Sequence, residues 1–407
     1  MSRRKSDCKK GHQTEARLCA SRRRVRRFAK TTVQYGSVLA NRTEKHLRGA
    51  IKGHFESLSY TVARRMMRMA QAFNTTAWTR TFQRTFAAMT RQTMRAGSRA
   101  VGRALEPMVR KRRPPPGAGD WIPGVSMGQS GARRFRLYRP PGVRFGERLP
   151  LLVMLHGCGQ DSKGFAVSTC MNRLAATERF LVLYPEQDRL ANAQGCWNWF
   201  ETRSGRAYGE AALIMKAIDQ VCLLYSGDRA RVAIAGMSAG ASMAALIVAR
   251  HPARFKALMM HSGVPPGTAH SAMSALGAMH GRRGTKALPA NTATTTDPWP
   301  PLLVIHGVAD PVVSVNNAHA AVKTWANAAG ARAGKARSVQ RGKRYPTTIT
   351  DFKRSANTVA TLIEVARLGH AWSGGAANHP FGDGKGPDAS RMMWGFAAMQ
   401  FRMLANT

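Results

Sequence analysis

A chain of 407 residues with 44% hydrophobic content is long enough to bury a large core, and it fits one big α/β domain plus an extension better than two equal domains. It has no run of eighteen or more apolar residues, so it offers no candidate for a membrane-spanning helix. The formal net charge of +42 is segregated: about 29 of the 63 Lys and Arg residues, against about five acidic ones, precede Pro114, although the remainder is still basic.

Residues 1–60 hold the clusters Arg3-Arg4-Lys5 and Arg22-Arg23-Arg24-Val25-Arg26-Arg27 with little apolar periodicity, and they are expected not to fold alone. No apolar stretch follows these arginines, so no secretory signal is expected, and Thr31 to Asn41 is too polar to complete a twin-arginine leader. Residues 61–113 differ. Met66, Met69, Phe73, Phe82, Phe86 and Met89 recur mostly at three- and four-residue steps among arginines and threonines, which predicts a basic amphipathic helical region. Such a region suits an anionic membrane or a hydrophobic granule, or it packs as an ordinary helix on the catalytic domain. Met66 and Met67 also leave open a downstream start. No aromatic residues interleave with the arginines in a recognised nucleic-acid motif, so specific nucleic-acid binding is not expected.

Lys111 to Gly117 is rich in proline, and residues 114–120 read as a semi-rigid linker. The catalytic domain is expected to span 121–407. Within it, strand-like apolar runs alternate with helical stretches, which predicts an α/β domain with a mostly parallel sheet and helices on both faces. Arg134–Tyr138 reads as an early antiparallel strand. Core strands are predicted at Leu149–Leu155, Phe180–Tyr184, Val232–Ala235, Phe255–Met260, Leu302–Ile305 and Thr361–Val365. Several are apolar on consecutive residues, as strands covered on both faces must be. Thr268 to Pro300 reads as a surface excursion or partial lid, and Met392–Met403 as a closing amphipathic helix.

Gly236-Met237-Ser238-Ala239-Gly240 follows the strand-like Val232–Ala235 and opens onto the apolar run from Ala241 to Val248. This strand, tight turn and helix match a nucleophile elbow, with Ser238 as the candidate nucleophile. A serine hydroxyl is too weak an acid to attack an ester unaided; it needs an imidazole to accept its proton and a carboxylate to orient that imidazole. Asp310, just past Leu302–Ile305, and His370, just past Thr361–Val365, supply both in the order Ser, Asp, His. The rival histidines are His251, His261 and His379, and the rival acids Asp188 and Asp383. His306 is expected to hydrogen-bond its own loop. The negative oxygen of a tetrahedral intermediate needs N–H donors, and these are assigned to Ala239 and Cys158, with Gly157 as the alternative. His156 is expected to brace that loop. Trp197, Trp199 and Trp372 are candidates for flat substrate-binding walls, with core packing as the alternative for Trp197 and Trp199.

Six cysteines, Cys8, Cys19, Cys158, Cys170, Cys196 and Cys222, include no Cys-x-x-Cys pair and no metal-like spacing, so no metal site is expected. No cofactor is expected either. Cys158 with Cys196 is the preferred disulfide, because both fall on loops placed near the candidate active site. Buried or free thiols are the alternative.

His156-Gly157-Cys158-Gly159-Gln160, Tyr184-Pro185, Cys196-Trp197-Asn198-Trp199-Phe200, the Gly236–Gly240 elbow, His306-Gly307 to Asp310 and Gly369-His370-Ala371-Trp372 together resemble the poly(3-hydroxybutyrate) depolymerase family of esterases, which also groups with feruloyl and acetylxylan esterases. The resemblance covers roughly Ser130 to Phe401. It implies an α/β-hydrolase fold, with Ser238, Asp310 and His370 as nucleophile, acid and base and Cys158 at the oxyanion position. The implied activity is hydrolysis of hydroxyalkanoate or other short-chain esters, with feruloyl or acetylxylan esterase activity as the alternative. A reading of another class makes the basic region a polyanion, membrane or granule anchor. Secreted polymer depolymerases of this kind carry a C-terminal linker and substrate-binding domain, whereas this chain stops soon after His370, so oligomers are expected ahead of crystalline polymer. The resemblance favours export, and the missing signal favours a cytoplasmic or granule-associated enzyme.

Overall fold

The computed structural model describes residues 117–284 and 299–405. The basic segment 1–60, the amphipathic region 61–113, the start of the proline-rich linker and part of the 268–300 excursion lie outside the described residues.

The chain enters through an antiparallel hairpin of β1 (Asp120–Gly128) and β2 (Gly131–Arg139), then runs through β3 (Leu149–Leu155), α1 (Ser162–Thr169), α2 (Met171–Glu178) and β4 (Leu181–Pro185). It continues through α3 (Arg206–Leu224), β5 (Gly227–Met237), α4 (Ala239–Arg250), β6 (Ala257–His261), α5 (Ala272–Met279), β7 (Leu302–Gly307) and α6 (Asn316–Ala329). The closing part holds β8 (Arg332–Ala333), β9 (Arg337–Val339), β10 (Thr347–Arg354), β11 (Asn357–Val365), the short pair β12 (Trp372–Ser373) and β13 (Gly382–Asp383), and α7 (Ala389–Ala405). The main sheet has the order β1-β2-β4-β3-β5-β6-β7-β11-β10-β8, with β9 also on β10. β4, β3, β5, β6, β7 and β11 run parallel, whereas β2 and β10 run antiparallel to their neighbours.

The parallel strands are buried on both faces, and alternate residues serve opposite layers. Leu151, Val153, Val232, Ile234, Leu258 and Val304 pack with side chains of α3, α4 and α6, such as Ile214, Ile247 and Trp325. Leu152, Met154, Ala235, Met259 and Ile305 face the other way, toward Phe165, Leu174, Met393 and Phe401 of α1, α2 and α7. Both layers are therefore visible as consecutive apolar residues in the strands. Two regions differ from the expectation. β1 contains Pro123 and two glycines, which hides its strand character; an edge strand tolerates proline because one side needs no ladder donor. At the opposite edge, β8 to β10 carry Arg332, Lys335, Arg337 and Lys353, all exposed, so no two-sided apolar pattern marks them. Arg332 sits directly across from Lys353 in the β8–β10 register.

The junction of β5 and α4 positions the candidate site. Every residue of α4 from Ala239 to Ala249 is buried, and the helix approaches the sheet so closely that two glycines are required. A Cβ on Gly240 would lie 2.1 Å from the Leu155 carbonyl oxygen and 2.5 Å from that of His156, and one on Gly236 would lie 2.4 Å from the Gly240 carbonyl carbon. All of these are backbone atoms, which cannot swing aside as a side-chain tip can. By contrast, a Cβ on Gly395, in the exposed face of α7, would meet nothing within 4 Å. Gly240→Ala is expected to destabilise the domain by about 3 kcal/mol through overpacking, while Gly395→Ala is expected to be neutral or to add up to about 1 kcal/mol through helix propensity. Urea unfolding midpoints of the two variants check this.

Candidate active site

Ser238 caps α4 with φ 55° and ψ −122°, a conformation that costs a non-glycine residue roughly 1–3 kcal/mol. Two backbone bonds hold it there. Its N–H donates to the His261 carbonyl at 2.8 Å, and its own carbonyl accepts from Ser242 N–H at 3.1 Å, opening the helix. The residue is nearly buried, at 9% exposed.

Asp310 and His370 follow the C-terminal ends of the neighbouring parallel strands β7 and β11. The two loops close on each other through Val308 N–H to Val365 O at 3.0 Å and Ala309 N–H to Leu368 O at 3.1 Å. Gly307 permits this approach, since a Cβ there would stand 2.2 Å from Leu368 O. As a result His370 Nδ1 and Asp310 Oδ2 are hydrogen-bonded at 2.8 Å, with the Asp310 side chain fully buried and that of His370 12% exposed. A neutral ring that donates from Nδ1 keeps its lone pair on Nε2, the atom a proton acceptor would use.

Asp310 Oδ1 also accepts from Val312 N–H at 2.8 Å and Val313 N–H at 2.9 Å. Burial pushes the Asp310 carboxyl up, but the charge and hydrogen bond of His370, followed by His306 and the Val313 amide, outweigh it and bring the group down to about 2. His306 Nε2 donates to Val313 O at 2.8 Å, so it braces the loop that holds the acid. The other candidates make local backbone contacts. Asp188 accepts from Leu190 N–H, Asp383 from Lys385 N–H, and His379 bonds Pro380 O.

The loop from His156 to Gln160 lies against the elbow: a Cβ on Gly157 would touch that of Ser238 at 3.5 Å. Its amides are sorted by partner. Gly157 N–H is taken by Gln160 Oε1 at 2.8 Å, and Gly159 N–H by Gln194 O at 2.9 Å. Gly157 is therefore occupied, and among the described residues Cys158 N–H meets no protein acceptor. Ala239, at the first position of α4, likewise has an N–H that helix geometry leaves without an intrahelical partner. His156 is fully buried and held neutral by burial; its Nδ1 bonds Gly157 O at 2.8 Å and its Nε2 accepts from Gln187 N–H at 3.1 Å. Cys158 and Cys196 form a disulfide, the pairing preferred from sequence, while Cys170 and Cys222 are free thiols among the described residues.

The tryptophans require a correction. Trp197 is fully buried, donates to His156 O at 3.0 Å and belongs to the core below the loop. Trp372 is also fully buried; it stacks on His261 and donates to Ser390 Oγ at 3.1 Å. Neither presents a face to a ligand. Trp199, 7% exposed, packs edge-on against Phe200. The apolar area of Trp197 and Trp199 packs a loop without regular secondary structure against the core, and that of Trp372 packs the short strand β12. Sequence reasoning also passed over His261 as a bridge. Its carbonyl receives Ser238 N–H, and its Nε2 accepts from Ser373 N–H at 3.1 Å, so it joins the elbow to the segment that follows His370. Burial first, then the charges of His306 and His370, lower it to about 3 and keep it a neutral acceptor.

A six-stranded parallel core with this strand order, and a strained serine between its central strand and the next helix, define an α/β-hydrolase. The chain belongs to the Esterase PHB depolymerase family, whose model matches residues 133–341, just over half of the sequence. It is 33% identical over 187 residues to poly(3-hydroxyalkanoate) depolymerase C of Paucimonas lemoignei, covering 44% of each chain. It is 27% identical over 194 residues to feruloyl esterase B of Thermothelomyces thermophilus, covering 44% of this chain and 66% of that protein. A further relative is acetylxylan esterase A of Emericella nidulans, 24% identical over 197 residues, with 44% and 62% covered. The chain thus spans between about two-fifths and two-thirds of the length of these curated relatives. Among solved structures, an acetyl xylan esterase from Aspergillus awamori aligns with a TM-score of 0.49 at 19% identity, over 62% of this chain and 94% of that one.

The lowered Asp310 carboxyl has a stability consequence. A depressed folded value means stabilisation that is fully present above the ordinary value of 3.8 and is lost as pH falls toward about 2. With the side chain fully buried, lowering the group from 3.8 to about 2 corresponds to about 2 kcal/mol. Urea unfolding of the wild type and Asp310→Asn at pH 5, 4, 3 and 2 is expected to show a difference that narrows by about this amount across the window.

Proposed function

We propose that the chain is a serine carboxylic-ester hydrolase that works through an acyl-enzyme on Ser238, with hydroxyalkanoate esters, poly- or oligo-3-hydroxybutyrate, or other short-chain esters as substrates. The reading is carried by the Asp310–His370 hydrogen bond of 2.8 Å, supported by the strained Ser238 at the turn between β5 and α4. Ser238 Oγ attacks the ester carbonyl while His370 Nε2 takes its proton, and Asp310, held ionised, stabilises the imidazolium. Ala239 and Cys158 N–H groups meet the oxyanion. Collapse of the adduct breaks the ester C–O bond, and the leaving alkoxide takes the proton from His370. Water then attacks the acyl-enzyme by the same exchange, releasing the acid and restoring the serine.

Family membership and the named activity of the Paucimonas relative support hydroxyalkanoates as the acyl donors. The feruloyl and acetylxylan esterase relatives support a carbohydrate-ester reading of the same site. Residues 1–113, with their excess of arginine and lysine, are proposed to attach the enzyme to an anionic membrane or granule surface. In support of this reading, each basic residue close to an anionic surface contributes about 1 kcal/mol.

On p-nitrophenyl butyrate, Ser238→Ala is expected to lower kcat/KM by at least about 1000-fold; equal rates would remove the proposal. Initial rates on 3-hydroxybutyrate oligomers, acetylated xylan and methyl ferulate separate the two substrate readings, and the first is expected to be fastest. Co-sedimentation of the full chain with anionic vesicles is expected to fall steeply with salt and to be lost when residues 1–113 are removed.

A further inference from the structure

Between β4 and α3 the chain crosses the top of the sheet in a stretch, residues 186–205, with no strand or helix. This stretch carries Cys196, and through it the disulfide to Cys158. It also contacts the His156–Gln160 loop by three hydrogen bonds: Gln187 N–H to His156 Nε2, Trp197 Nε1–H to His156 O, and Gly159 N–H to Gln194 O. The two irregular loops therefore form one stitched unit. A unit made of two loops cannot place an amide to a fraction of an ångström unless something rigid holds it.

Among its attachments to the rigid frame is one buried carboxylate that grips it by three hydrogen bonds. Glu210, in the second turn of α3 and 4% exposed, accepts from Gln187 Nε2 at 2.7 Å and Asn198 Nδ2 at 2.7 Å through Oε1, and from Asn198 N–H at 3.0 Å through Oε2. The two residues it grips flank Cys196. Gln187 in turn donates to Cys196 O at 2.9 Å and accepts from Arg133 of β2, whose guanidinium lies 3.8 Å from Glu210. A charge this deep would be costly with partners absent. Here every bond it makes besides the Arg133 pair runs to the loop unit.

We propose that Glu210 is a positioning residue for the candidate oxyanion donor: it acts through Asn198 and Gln187 on Cys196, and through the stitched loops on Cys158 N–H. The kinetic arm of its test rests on the ester-hydrolase reading above; the structural arm does not. Glu210→Gln keeps shape and one acceptor but turns an NH2 toward donors, so the grip on Asn198 is broken. Asn198→Ala removes one bond to Glu210, together with the bond from Asn192 Nδ2 to Asn198 Oδ1, and leaves the buried Arg133–Glu210 pair in place, which keeps the idea testable should Glu210→Gln not fold.

The experiment measures both variants in the full chain by amide hydrogen exchange and by steady-state kinetics normalised to serines titrated with a fluorophosphonate. Exchange in peptides covering residues 156–160 and 187–198 is expected to quicken at least about 10-fold, with β6 and β7 unchanged. In kinetics, kcat per titrated serine is expected to fall about 10- to 100-fold in Glu210→Gln with KM within 2-fold, because an oxyanion contact acts in the transition state. Asn198→Ala is expected to move in the same direction by a smaller factor. A merely structural role would lower the number of titratable serines and leave kcat per site alone. Unchanged exchange at 156–160, or unchanged kcat per serine in an active enzyme, overturns the proposal. An inactive wild type would sink the ester-hydrolase reading, and the exchange result would still decide whether Glu210 fixes the loop.

Discussion

The architecture of the site depends on one steric constraint, the backbone-to-backbone contact between α4 and the end of β3. Gly240 lies where any side chain would strike the carbonyl oxygens of Leu155 and His156. That contact brings the start of the helix, the turn holding Ser238 and the loop after β3 into one small volume. It also sets the composition of α4, whose residues from Ala239 to Ala249 are all buried and mostly small. The strain at Ser238 is tolerated because the surrounding backbone is already fixed by burial and by the bonds to His261 and Ser242.

A second constraint is electrostatic and lies two strands away. Asp310 combines complete burial with an ionised state, and this is possible only because His370 and two backbone amides face it. His306 and His261 occupy the same neighbourhood as neutral rings that accept or donate to backbone groups, which keeps additional positive charge away from the pair. Three histidines within one cluster therefore differ in role according to the partner each ring nitrogen meets.

Much of this was legible in the sequence for identifiable reasons. Two-sided burial leaves consecutive apolar residues, so Leu149–Leu155 and Leu302–Ile305 stand out as strands. Ser238, Asp310 and His370 each follow such a strand at a glycine-bearing turn, and a chain-order argument links them. The tryptophans misled because a large aromatic side chain beside a loop reads alike whether it faces solvent or the interior; Trp197 and Trp372 face inward to satisfy carbonyl and hydroxyl groups. Glu210 was invisible because its partners, Gln187 and Asn198, lie 23 and 12 residues away in a stretch without periodicity. Polar networks of this sort leave no repeating signal along the chain.

The far edge of the sheet has a different consequence. A β-strand with unpaired amides and carbonyls is a template on which a second polypeptide can crystallise its own ladder. Here the outermost ribbon sets Arg332 opposite Lys353 and keeps Lys335 in solvent, while Arg337 pairs with Asp351, so an incoming copy of the same ribbon would bring Arg332, Lys335 and Lys353 against like charges. Like charges set across an edge pairing oppose it, and the same positive fringe is what obscured these strands in the sequence.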